Sequence, residues 1–209
     1  MEKVYETIAC EKVHSKDISQ FLDLLRFYSA PHLQSTAYLK YETEYVNILN
    51  RTSLFSKTIH AVDIDTATAN ALSDSDGTIV KSLKGRVIPV TTIINGTKFE
   101  SGGHQVRVID SSHVNGDVGS LLQALGCRPS AAASCQFGLR IQLLSGVDVT
   151  VFRSLNDDHD PEKEQEVAQY EVEVSCLSSE RNVQQSSQRI GAAVASLKSL
   201  FVSASNAKR

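Results

Sequence analysis

The sequence has little excess charge of either sign: 21 lysines and arginines stand against 24 aspartates and glutamates in 209 residues, a formal net charge of −3. A surface dedicated to nucleic acid carries a basic excess gathered on one face, so direct nucleic-acid binding is not expected. Cysteine is sparse as well. Cys10, Cys127, Cys135 and Cys176 are scattered without a CxxC pair, which fits buried thiols in a reducing compartment, cytosol or nucleus, rather than a disulfide framework or a zinc site. The triplets Asn50-Arg51-Thr52 and Asn95-Gly96-Thr97 then read as chance matches to a glycosylation signal. Long apolar runs are missing. Glu2, Lys3 and Glu6 interrupt the segment Met1–Cys10, where a secretory leader needs an unbroken apolar stretch. Nothing approaches the roughly 20 apolar residues of a spanning helix, so no membrane association is expected.

Several catalytic signatures are also lacking. There is no G-x-S-x-G elbow and no cysteine set in the local sequence of a known nucleophile. Gly102-Gly103-His104 is not followed by a helical pattern that could present its N-terminus to a phosphate. The histidines His14, His32, His60, His104, His113 and His159 lack metal-ligand spacing, so they read as ordinary surface or core residues. No cofactor is expected, and no repeat at a solenoid period is visible.

What is present is a chain rich in strand patterns, of a length that suits a single domain, 1–209. An opening strand places Val4, Glu6, Ile8 and Cys10 on one side and Tyr5, Thr7 and Ala9 on the other. Ser15 is placed to cap a helix carrying Ile18, Phe21, Leu22, Leu25 and Tyr28, which must stop before Pro31. Tyr38, Tyr41, Tyr45, Val46 and Ile48 mark a strand within 36–49. Acidic and small residues predict a loop from Val62 to Gly77, mobile around 63–77. Strands then follow over 78–83, 86–94 and 98–109. Asn95-Gly96 is read as a type I′ hairpin turn, and Gly102-Gly103 as a further turn or bulge.

Asp117 or Asn115 can cap a short helix with Val118, Leu121, Leu122 and Leu125, closed by Gly126 at C′. Two extended runs, 133–144 and 147–155, flank a tight turn at Ser145-Gly146. A charged, mobile loop covers 156–168, followed by a strand over Gln169–Leu177 with Tyr170, Val172, Val174 and Cys176 on one face. Ile190, Ala193, Val194, Leu197, Leu200 and Phe201 stripe a closing helix, and residues 203–209 form a frayed tail. The expected fold is therefore α+β: a mostly antiparallel barrel or strongly curled sheet with a few packing helices.

Two Glu-x-Glu triplets, Glu42-Thr43-Glu44 and Glu171-Val172-Glu173, lie on strands, and period two puts both carboxylates of a triplet on one face. Four carboxylates inside a barrel could hold a hard divalent cation, with Lys98, Arg107, Arg140 and Arg153 left for polyphosphate. That would make a metal-dependent tunnel phosphohydrolase of RNA-triphosphatase type. The simpler expectation is that Glu171 and Glu173 face solvent, because the alternate face of their strand is the apolar one. No catalytic or metal residue is assigned on that reading. A small-ligand barrel of lipocalin type is a third possibility by fold analogy alone.

In order, Gly119-Ser120-Leu121-Leu122-Gln123-Ala124-Leu125-Gly126-Cys127, a strand with Gly138, Val149-Thr150-Val151-Phe152-Arg153-Ser154-Leu155, an acidic loop, Tyr170-Glu171-Val172-Glu173-Val174-Ser175 and Ala195-Ser196-Leu197-Lys198-Ser199-Leu200 resemble the family of subunit 18 of the Mediator complex of RNA polymerase II. The likeness covers mainly residues 117–202, as in a divergent member. It implies a nuclear, non-enzymatic barrel of triphosphate-tunnel-like architecture in the Mediator head module. Such a barrel pairs with subunit 20 as a heterodimer, is tethered by the C-terminal helix of subunit 8, and supports transcription through protein–protein interactions.

Overall fold

Alternating burial in the strands shows how the sheet is built. In β1 (Val4–His14) Tyr5, Thr7 and Val13 are buried beneath helices, while Glu6 and Ile8 are buried on the opposite side. Both faces are covered because the sheet closes on itself. The computed structural model describes residues 3–29, 35–49, 53–64, 90–114, 117–130, 134–154 and 169–201. The remaining strands are β2 (Ser35–Asn47), β3 (Ser53–Ile64), β4 (Val90–Ser101), β5 (His104–Val114), β6 (Cys127–Pro129), β7 (Ser134–Gln142), β8 (Asp148–Ser154) and β9 (Gln169–Ser179). They pair antiparallel in the order β3-β4-β5-β1-β9-β8-β7-β2-β6, and β2 pairs with β3 again from Ser35↔Ile64 to Val46↔Ser53. Eight strands thus form a ring. The short β6 pairs with Tyr45–Asn47 of β2, beyond the point where β7 stops at Glu42↔Ser134.

The apolar core lies outside this ring. Val13, Leu139, Ile141, Val149, Val151, Val172, Val174 and Cys176 pack beneath α1 (Ile18–Tyr28) and α3 (Val183–Leu197). The helices contribute Phe21, Leu22 and Leu25, then Ile190, Ala193 and Leu197. Each fully buried side chain of this size stabilises by about 1.5–3 kcal/mol relative to exposure. Val183 extends the contact to Tyr5 and Val106, and Ser187 Oγ donates to the Ser101 carbonyl at 2.9 Å. On the other flank α2 (Val118–Ala124) buries Val118 and Leu122 with Cys127 against Tyr45, Leu54 and Ile93.

The α+β reading with an antiparallel curled sheet holds, and several local expectations change. Asn95-Gly96 does not reverse the chain: β4 runs through it, and the pairing with β5 slips between Ile94 and Lys98. The reversal falls at Gly102-Gly103, whose φ of 58° and 80° supply the two left-handed positions of a type I′ turn. Ser15 does not cap the first helix. β1 stays paired to β9 as far as His14↔Gln169, so a 3₁₀ turn over Ser15–Asp17 intervenes and Asp17 becomes the N-cap. Val62 and Asp63 belong to β3, opposite Ala37 and Thr36. Ile64 also belongs to β3, while residues 65–77 of the expected loop, the strand expected over 78–83, the start of that at 86–94, the 156–168 loop and the 203–209 tail lie outside the described residues.

Candidate functional site

The ring encloses a lumen, and the inward residues follow from strand parity. On β9, Tyr170, Val172, Val174 and Cys176 face α1 and α3, so Glu171 and Glu173 face inward. The expectation of solvent-facing carboxylates is therefore corrected: Glu173 is 9% exposed. Closure of the sheet replaces solvent on the second face by the opposite wall. In β2, Ala37 belongs to the outer core, which sends Lys40 and Glu42 inward, while Glu44, of the same parity, lies at a partly exposed position further along the strand.

Three ion pairs identify the interior directly, because each joins strands that are not hydrogen-bonded neighbours. Lys57 of β3 reaches Glu6 of β1 at 3.0 Å, Lys40 of β2 reaches Glu173 of β9 at 3.6 Å, and Arg107 of β5 reaches Glu42 of β2 at 3.5 Å. These contacts span the lumen. All six side chains are at least four-fifths buried, with 7–19% of their surface exposed. Lys40 also stands 5.3 Å above the Phe152 ring. Phe152 can lie against β7 because its aligned partner is Gly138, where a Cβ would fall 2.1 Å from the Val151 carbonyl oxygen and 2.7 Å from Phe152 Cβ.

The electrostatics follow from the pairing. Burial disfavours ionised Glu173, but Lys40, then Lys57 and Arg107, outweigh it and hold the carboxyl below its ordinary range. Burial likewise works against the Lys57 charge, and Glu6, Glu173 and Glu42 together push its pKa up. Cys10, aligned with Glu173, is open to solvent even though neighbouring wall atoms partly desolvate it. That desolvation, followed by the charge of Glu173 and with a smaller part from Glu171, raises the thiol pKa against the opposing pull of Arg107 and Lys40. The Cys10 thiol is thus not the buried one the sequence suggested, whereas Cys127 and Cys176 are buried.

The four Glu-x-Glu carboxylates do not converge as a metal cage. Glu42 and Glu173 enter the lumen, each on its own cation. Glu44 is bound by Ser130 Oγ at 2.7 Å, and hydrogen bonds from Ser130 and then Ser53 hold its carboxyl below the usual range. Glu171 aligns with Lys12 of β1 and Phe152 of β8. Among the described residues there is no group of three or more His, Cys, Asp and Glu side chains placed to hold a metal ion. The four basic candidates also part company. Arg107 is inside on Glu42, Arg140 is half exposed on Asp148, and Lys98 is exposed, 5.2 Å above the Phe55 ring. The Arg153 side chain is outside the description.

Sequence reading missed Glu6, Lys40 and Lys57. The odd parity of Glu6 among Val4, Ile8 and Cys10 was the available signal, a charge set within an otherwise apolar strand face.

No protein-family model and no curated protein matches the chain. Solved structures do. A chain of the Schizosaccharomyces pombe Mediator head module is similar at 11% identity and a TM-score of 0.55, covering 94% of each chain. A conserved hypothetical protein from Pyrococcus furiosus is similar at 13% identity and 0.53, again with 94% of each chain covered. The triphosphatase of the Mimivirus capping enzyme follows at 6% identity and 0.48, covering 95% of this chain and 91% of its own. At these identities the likeness is one of fold.

Proposed function

We propose that this chain is a non-enzymatic subunit of a Mediator head module, working in the nucleus in RNA polymerase II transcription through protein–protein contacts. The observation that carries this reading is the internal neutralisation of the lumen. Glu6, Glu42 and Glu173 are each matched by Lys57, Arg107 and Lys40 across the barrel. Among the described residues these six charges satisfy one another, so a polyphosphate or a divalent ion would have to break a cross-lumen pair to recruit any of them. Similarity of fold to a chain of the Schizosaccharomyces pombe Mediator head module supports the assembly. The ordered resemblance over residues 117–202 points to subunit 20 as the barrel partner and to the C-terminal helix of subunit 8 as a tether.

A second reading, a tunnel phosphohydrolase, is favoured by one feature, the entry of Glu42 and Glu173 into a charged lumen. The test is a tagged pull-down of the full chain from nuclear extract, analysed by mass spectrometry beside a triphosphatase assay with Mg²⁺ or Mn²⁺. Recovery of Mediator head subunits without hydrolysis is the expected result. Hydrolysis abolished by Glu173→Gln, with no head subunits recovered, would overturn it.

A further inference from the structure

We draw no further inference here: the strongest candidate, the exposed aliphatic surface patch of Ile48, Leu49, Leu121 and Leu125 where the end of β2 meets α2, carries nothing because nothing in the structure shows what covers it.

Discussion

Gly138 shows how one side chain's absence shapes the lumen. With a Cβ 2.1 Å from a backbone oxygen, Gly138→Ala forces β7 and β8 apart and displaces Phe152 from beneath Lys40. Overpacking of this kind costs about 1–3 kcal/mol or more, and a corresponding fall in the urea midpoint is expected; an unchanged midpoint would show that the wall yields freely. Lys40 and Glu173 make a second test. Lys40→Met leaves a buried carboxylate short of its nearest cation and should destabilise by about 3 kcal/mol, whereas Lys40→Met with Glu173→Leu should recover most of the loss. A double variant as unstable as the sum of its parts would mean that the pair is not coupled. Cys10 combines exposure with a raised pKa, and the thiolate is the reactive form. Peptide mapping after brief iodoacetamide treatment at neutral pH should find Cys10 labelled more slowly in the folded protein than in urea, and equal rates would remove the influence of the lumen charges.

At the scale of elements, the parts with strong local chemistry were legible. Asp117 accepts from the Ser120 amide at 3.1 Å and its hydroxyl at 2.6 Å, Gly126 closes α2 at φ 81°, and Gly146 turns the β7–β8 hairpin at φ 75°. The Ser120 hydroxyl and amide bonds hold the Asp117 carboxyl below its usual range. Asp117→Ala should therefore speed amide exchange within α2 while leaving the global melting midpoint nearly unchanged, because the residue is wholly exposed; protection retained through α2 would show that packing of Val118 and Leu122 alone sets the helix. What local chemistry could not supply was the meaning of each face. The apolar stripe of α2 splits, with Val118 and Leu122 buried but Leu121 and Leu125 open. Asn95-Gly96 has the composition of a hairpin turn, yet the long pairing of β3 with β4 through Leu54↔Asn95 keeps it extended. β6, three residues long, has no periodicity to read. Most of all, polar alternation on β9 looks identical whether the second face meets water or an opposite wall. Only closure through β2 and β3 decides it.

The whole molecule is an inverted arrangement in which the apolar core lies between sheet and helices and the charges lie inside the ring. Its stability should depend on pH through those charges. The Glu173 carboxyl is depressed in the folded chain, so its contribution is fully present above the unfolded value of about 4.3 and is lost as pH falls through the lower folded value. Lys57 is raised, so its contribution is complete below the unfolded value of about 10.4 and is lost only as pH climbs through the higher folded one. Cys10 is also raised and acts in the same direction as Lys57, but earlier, weakening the fold once the unfolded thiol begins to ionise near pH 8.5. Urea unfolding across pH should therefore show a plateau between about pH 5.5 and 8, a steep loss on the acid side and a gentle decline above it. In Glu173→Gln the acid limb should become shallower, since one of the carboxylates whose protonation breaks a cross-lumen pair is gone. An acid limb of unchanged steepness would place the titrating groups outside the lumen, and the three ion pairs would then hold no more than the local geometry of the wall.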